Sequence, residues 1–387
     1  MRRNYVYEGV FGVKIRSAVL RELGAKMPYK DSKPIHIEEL ELDAPGRGEV
    51  LVKVLAASLC HSDLSVVNGS RPRPVPMALG HEAAGVVISV GEGVKEFAKG
   101  DQIICVFVPS CGQCVPCQEG RPALCERAAK SNEAGTLLNG DIRLHNGDEK
   151  IHHHIGVSAF SEYVVVSKHS LVKVTEDLTA EQLALFGCAV ITGVGAVTNT
   201  AKVPLGSSVA VVGLGGVGFS AMLGAIAAGA REVVAIDIND TKLARAAELG
   251  ATTTYRSDEE GIVERIMRET NGGFDYVFET AGVVPALEVA YGITKRGGVT
   301  TTTGLPDPNA KFELPYVTLT ANEKTLKGSY VGSSVPRRDI PHYIQLMKAG
   351  KLPVNELVAK TIRLEEINEG FDLLASGEYT RILISFE

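Results

Sequence analysis

The stretch that most constrains this chain is Ser208-Val209-Ala210-Val211-Val212 followed by Gly213-Leu214-Gly215-Gly216-Val217-Gly218. An apolar run of strand length, a G-x-G-x-x-G turn and an apolar run of helix length over 219–228 make a strand–turn–helix unit. A bare glycine pattern is a weak signal, but the next apolar run, Glu232-Val233-Val234-Ala235-Ile236, ends in Asp237 and completes the context. Lacking Cβ atoms at Gly213, Gly215, Gly216 and Gly218, the backbone can approach a pyrophosphate at the helix N-terminus. A carboxylate about twenty residues further on accepts hydrogen bonds from the adenosine ribose hydroxyls. A 2′-phosphate would meet the charge of Asp237, so the pattern favours NAD over NADP. A strand-end aspartate that merely caps the next helix explains one residue and not the set.

Strand and helix patterns continue to alternate after this unit, the signature of a parallel sheet covered on both faces. Helices are predicted over 241–249, 262–269 and 285–293, and strands over 274–279, 298–304 and near 325–329, for six strands in all. Before Thr192 the character is different. Short alternating runs over 14–58, 86–90, 102–108, 160–166 and 171–174 predict a strand-rich, partly antiparallel region. The apolar run over 381–386 is assigned back to it. At 387 residues the chain is long enough for two domains, given roughly 100–200 residues each. Their predicted extents are 1–189 together with 332–387, and 190–331.

The strand-rich region carries the metal-type ligands. Cys60-His61-Ser62-Asp63, Gly80-His81-Glu82 and Gly187-Cys188 hold two thiols and an imidazole that, brought together, would bind Zn²⁺ and leave one tetrahedral corner open. Taken singly, each is equally a core or surface residue. A short helix is predicted to carry Cys60 and Asp63, and a helix from about 179 to carry Cys188. The more specific local signal is Cys111, Cys114, Cys117 and Cys125, spaced Cys-x₂-Cys-x₂-Cys-x₇-Cys in a loop rich in Gly and Pro. Four thiolates there make a closed structural zinc site; an iron–sulfur cluster is the rival, though this spacing differs from both ferredoxin patterns. Cys105 reads as core. His152, His153 and His154 are adjacent, and neighbours on an extended chain face opposite ways, so they do not make one site. The run Arg71-Pro72-Arg73-Pro74-Val75-Pro76 excludes helix and central strand and reads as a loop at a substrate rim.

A formal net charge of −6 argues against nucleic-acid and anionic-membrane partners. Residues 1–14 start basic but contain no apolar core or cleavage site, so they read as a surface extension and not a secretory signal. The glycine-rich run over 209–230 follows the strand–helix pattern and not that of a membrane span. Seven cysteines, odd in number and mostly at metal-type spacing, suit a reducing compartment, and the expectation is a soluble cytoplasmic protein.

Together these motifs resemble the zinc-dependent alcohol dehydrogenases of the medium-chain dehydrogenase/reductase superfamily, liver-type members included, over nearly the whole chain. The resemblance implies an α/β protein: a GroES-like β-rich catalytic domain built from both chain ends, and a Rossmann doubly wound parallel sheet between them. It implies two zinc ions per subunit, one on Cys60, His81 and Cys188 and one on Cys111, Cys114, Cys117 and Cys125. It implies oxidation of an alcohol acidified by the cation, with hydride passing to NAD⁺, Ser62 relaying the proton, Asp63 accepting the His81 imidazole N–H, and Glu82 behind the metal. For the cofactor it implies Thr192 and Val217 at the nicotinamide, Asp237 and Lys242 at the ribose, and His61 and Arg381 near the pyrophosphate.

Phe107, His154 and Ile155 match pocket-wall positions, which implies medium-chain or aromatic primary alcohols and their aldehydes. Where many liver-type members have a histidine, this chain has Ser65, so the outer end of the proton path differs. Relatives that oxidise thiol adducts of formaldehyde use an added arginine; Ala128 and Ala129 stand where it is expected, and Arg127 keeps that alternative open. Zinc-deficient structural members of the superfamily lose the ligand cysteines that this chain keeps. A homodimer is expected, with a tetramer as the other state.

Overall fold

The computed structural model describes residues 12–386; the predicted N-terminal extension lies largely outside them. Among the described residues no single helix is long and apolar enough to cross a membrane. The chain divides into two compact units, 1–188 with 360–376 and 382–387, and 189–359 with 377–381.

In the first unit Val13–Leu20, Ile35–Leu42, Leu144–Asn146, Glu149–His153 and Met77–Ala78 close into a barrel. Its interior holds Ile15, Val19, Leu40, Leu42, Leu144 and Ile151, all nearly inaccessible to solvent. A second sheet runs in the order Leu171–Val174, Gln102–Cys105, Glu82–Val90, Glu49–Ser58 and Arg381–Ser385, with Tyr163–Ser167 also paired to Glu49–Ser58. Glu49–Ser58 is buried at eight of its ten positions, as a central strand covered on both faces must be. The strand predicted over 102–108 stops at Cys105, because Val106 N–H turns away to the Ser170 carbonyl. Cys105 is fully buried, and burial pushes its thiol up to about 12, as a plain core thiol requires.

The barrel also explains one of the three histidines. His153 points inward, its Nε2 accepting the Arg143 N–H at 3.1 Å and its Nδ1 lying 3.3 Å from Ser158 Oγ. Burial pushes its imidazole down to about 3. An unfolded histidine titrates near 6.5, so on acidification the unfolded chain takes up the proton first. The resulting stability is complete above about pH 6.5 and is lost as pH falls towards 3. Between about pH 7 and 5 this one group should remove roughly 2 kcal/mol. The urea midpoint of His153→Gln, followed over that range, should vary less with pH than that of the unaltered protein.

In the second unit six strands are parallel, in the order Thr253–Arg256, Glu232–Asp237, Ser208–Val212, Phe274–Glu279, Thr294–Thr302 and Thr325–Gly328. Helices Gly216–Ala227, Asp240–Glu248, Ile262–Glu269 and Val284–Gly292 connect them. The edge strand Thr253–Arg256 has no apolar run and was not individually predicted; it forms because the Glu232–Asp237 strand offers it a parallel register from Val234 to Asp237. The stretch 332–359, expected with the first domain, belongs here. Helix Pro336–Lys348 turns Ile340, Tyr343, Ile344 and Met347 inward and packs on Ala189–Gly195.

Candidate functional site

Strand register assembles the first ligand cluster. Glu49–Ser58 and Glu82–Val90 are antiparallel with Ser58 opposite Glu82, so Cys60, two residues beyond one strand, meets His81, one residue before the other. Ala83 in turn faces Cys105. Gly187 lies so close to Cys105 that a Cβ there would stand 2.3 Å from its carbonyl oxygen, and this contact delivers the following residue, Cys188. The predicted helix does not run through Cys188: α-helix Ala180–Ala184 tightens over Leu185–Gly187 and breaks at Cys188, whose φ and ψ are −142° and −65°. One donor atom from each of Cys60, His81, Glu82 and Cys188 then lies within 4.8 Å of the others, and all four residues are buried.

Cys60 is the N-cap of helix His61–Val67, and the Asp63 carboxylate accepts the Cys60 N–H at 3.1 Å through Oδ2. Its other oxygen lies 3.0 Å from His81 Nδ1. An ionised carboxylate only accepts, so Nδ1 carries the proton and Nε2 presents a bare lone pair. That Nε2 is buried and has no hydrogen-bond partner among the described residues. Burial works against charge on the His81 ring, but Asp63 outweighs it and raises the ring's basicity well above the ordinary value. Burial likewise opposes ionisation of Asp63, and His81 and His154 together still hold its carboxyl below the usual range. Two soft sulfurs, a basic lone pair aimed without a partner, and a carboxylate oxygen fit a zinc ion.

Two aromatic rings wall this cluster. Phe107 stands edge-on to His81 with centroids 5.2 Å apart, and His154 does the same at 5.5 Å. His154 Nδ1 is 2.9 Å from the Asp63 oxygen that His81 uses, though out of line for a hydrogen bond. Ile155, nearly buried, has φ +38°, a conformation a β-branched residue adopts only when its surroundings force it. The Val157 N–H donating to the His154 carbonyl, and the His154 N–H donating to Ser158 Oγ, hold this turn. Nothing in the sequence signals it. Ser62 is half-buried on the first turn after Cys60, and His61 is exposed. The Ser65 hydroxyl donates to the His61 carbonyl at 2.8 Å, a bond within its own helix.

The four-cysteine loop folds as a separate lobe. Short helix Val115–Gln118 buries none of its residues, and Pro122 and Ala123 are the apolar side chains buried beside the cysteines, so apolar burial does little to hold the lobe. Instead one sulfur from each of Cys111, Cys114, Cys117 and Cys125 lies within 4.8 Å of the rest, with no disulfide among them. Gln113 and Cys114 N–H both donate to Cys111 Sγ at 3.4 Å, and Cys111 N–H to Cys125 Sγ at 3.4 Å. Backbone N–H groups favour thiolate sulfur, and those of Cys117 and Glu126 bring the Cys114 thiol down to about 6. The set fits a closed tetrahedral zinc.

In the second unit the glycine turn lies at the C-terminal end of Ser208–Val212, where the strand order reverses. Gly213 has φ +93°, and a Cβ on Gly218 would fall 1.8 Å from the Gly213 carbonyl oxygen. A Cβ on Gly215 would meet nothing within 4 Å, and no side chain caps the helix there. The open helix start fits a phosphate. Arg381, almost fully buried, packs against Gly216. Asp237 accepts the Leu214 N–H at 2.5 Å and the Asn239 N–H at 2.9 Å, so it braces the glycine turn. Burial lowers the Lys242 ammonium, while Asp237 opposes the shift. Gly193 lies against the Val217 carbonyl, which makes Thr192 and Val217 neighbours.

Comparison with known proteins agrees with both units. The model for the alcohol dehydrogenase GroES-like domain matches residues 46–176, and that for zinc-binding dehydrogenases matches 216–349. An alcohol dehydrogenase zinc-binding domain protein from Burkholderia ambifaria is 35% identical, with TM-score 0.91 over 97% of this chain and 100% of that one. Benzyl alcohol dehydrogenase from Acinetobacter calcoaceticus is 31% identical, with TM-score 0.90 over 97% and 100%. A zinc-binding dehydrogenase from Sinorhizobium meliloti, solved with NADP, is 26% identical, with TM-score 0.79 over 96% and 99%. The chain belongs to the zinc-dependent alcohol dehydrogenases of the medium-chain dehydrogenase/reductase superfamily.

Proposed function

We propose that the protein catalyses reversible hydride transfer between a primary alcohol, aromatic or of medium chain length, and NAD⁺. The observation that carries this reading is the buried donor set of Cys60, His81 and Cys188, with His81 held in the ligating tautomer by Asp63. Zinc bound there supplies Lewis-acid polarisation of the alcohol oxygen. Cys60, His81 and Cys188 would hold and orient the ion, and Phe107 and His154 would exclude water from the side they wall. Ser62 takes the hydroxyl proton, acting as a relay and not as a base. Because Ser65 is committed to the His61 carbonyl, the proton continues from Ser62 through solvent. A screen of alcohols with NAD⁺, with and without added thiols, read by NADH absorbance, should find aromatic primary alcohols turned over without thiol. Turnover of thiol adducts alone would replace this reading with its closest alternative. Support for that alternative is weak, because Arg127 donates to Gln113 and lines a separate cavity of about 190 Å³ with Arg47, Lys168 and His169.

The preference for NAD⁺ is inferred from Asp237, a carboxylate placed where a 2′-phosphate would bring like charge. Asp237→Ala should raise kcat/KM with NADP⁺ relative to NAD⁺ by roughly tenfold or more, the size of one lost like-charge contact. An unchanged ratio would remove the argument. A homodimer is inferred from the second unit, whose edge strand Thr325–Gly328 pairs on one side only among the described residues. Tyr316 and Val317 nearby in sequence are 78% and 66% exposed. Open edges and clustered apolar groups are features of association surfaces. Sedimentation velocity should give a dimer, and Val317→Glu should weaken it.

A further inference from the structure

We propose that Arg73 binds a carboxylate carried by the substrate, so that the preferred alcohol or aldehyde is an anion; this rests on the alcohol dehydrogenase reading of the site. Arg73 sits in the proline-interrupted loop, and both ends of that loop are tied to the walls of the metal cluster. At one end Arg71 N–H donates to the Ser65 carbonyl at 2.8 Å, on the helix that carries Ser62 and Asp63. At the other end His152 N–H donates to the Pro76 carbonyl at 2.9 Å, in the segment that continues to His154 and Ile155. Pro72, Pro74 and Pro76 fix φ at three of the positions between these anchors, so the loop holds Arg73 between them at low entropic cost.

The Arg73 side chain is half-buried. No carboxylate pairs with it among the described residues. Other half-buried arginines of the same unit are paired: Arg143 with Glu49, and Arg21 with Glu38. A partly desolvated guanidinium gives up hydration, and Arg73 recovers no counter-ion for it among the described residues. Its planar fork matches a carboxylate in two parallel hydrogen bonds. Phe107 and Ile155 supply apolar surface beside the donor set, which suits a ring bearing the reacting carbinol and the acid group at separate positions.

The test compares 4-(hydroxymethyl)benzoate with benzyl alcohol, using NAD⁺ and the zinc-loaded enzyme, in the unaltered protein and in Arg73→Gln and Arg73→Lys. The ratio of kcat/KM for the anionic over the neutral alcohol should exceed one. It should fall roughly 10- to 100-fold in Arg73→Gln, the loss of a charge-assisted hydrogen bond, and mainly through KM. Arg73→Lys should recover part of it. A ratio unchanged in Arg73→Gln overturns the proposal. Calorimetric titration of the enzyme with benzoate, read without turnover, separates the two readings. If binding is lost in Arg73→Gln while neither alcohol is oxidised, the alcohol dehydrogenase reading fails and the anion site stands. If benzoate binds both proteins equally, the anion site fails. S-hydroxymethylglutathione, whose carboxylates lie on a thiol carrier, serves as a further arm. A ratio that depends on Arg73 for this adduct and not for the benzoate would overturn the aromatic form of the proposal.

Discussion

Cys188→Ser should leave a folded protein that binds one zinc per subunit and has lost almost all alcohol oxidation. Cys188 contributes a buried sulfur to the donor set but is not part of the sheets; it stands at a helix break positioned by the contact of Gly187 with Cys105. Serine is nearly isosteric, so packing loss is small. The hydroxyl is a poor zinc ligand, and the remaining donors, Cys60, His81 and Glu82, keep only one of the two soft sulfurs that fit the ion. A Lewis acid at a developing oxyanion is worth several kcal/mol, so its loss should lower kcat/KM by roughly 10³-fold or more. Metal analysis and circular dichroism on the same sample check both halves: zinc near one equivalent, with an unaltered spectrum. Loss of the fold instead would place Cys188 in the architecture and not in the chemistry.

Cys114→Ser should act in the opposite manner, on the fold first. The lobe around Cys111, Cys114, Cys117 and Cys125 has no buried core in helix Val115–Gln118. Its metal therefore takes the place that apolar burial holds elsewhere. Structural zinc in small domains contributes on the order of 10 kcal/mol of apparent folding free energy. Only part of that is at stake here, because the adjoining sheet stands on its own core, and a loss of several kcal/mol is expected. Limited proteolysis should cut the variant between about Cys111 and Cys125, while the protein with both zinc ions resists. Thermal unfolding should begin earlier and lose its two-state form. Equal resistance in the two proteins would show that the lobe holds together without its metal.

The nucleotide unit was legible in the sequence because each of its signals is local. The run Ser208–Val212, the glycines to Gly218 and the terminal Asp237 are dictated by periodicity and by a backbone that tolerates no Cβ at Gly218. The Cys111–Cys125 loop was legible for the same reason: its ligands lie within one short segment. The strand Thr253–Arg256 was not, since an edge strand of two threonines, a tyrosine and an arginine has no pattern of its own and takes its register from its neighbour. The meeting of Cys60, His81 and Cys188 is written only in the resemblance, because the pairing of Ser58 with Glu82 and the approach of Gly187 to Cys105 join segments far apart in the chain. The left-handed backbone of Ile155 was invisible, being imposed by surrounding hydrogen bonds against the residue's own preference. The placement of Helix Pro336–Lys348 depended on which surface its apolar face found, and periodicity shows a face without showing its partner.

The central claim is that the buried cluster of Cys60, His81 and Cys188 holds a zinc ion on which alcohol oxidation depends. Stepwise return of zinc to chelator-treated protein, with bound metal and NADH formation followed on each sample, tests it most directly. The first equivalent should fill the four-cysteine lobe, whose ligand set is closed, and restore little turnover. Activity should then rise in proportion to the second equivalent and saturate near two per subunit. Full turnover at one equivalent in the protein carrying Cys60→Ser or Cys188→Ser, with the second site empty, would contradict the account.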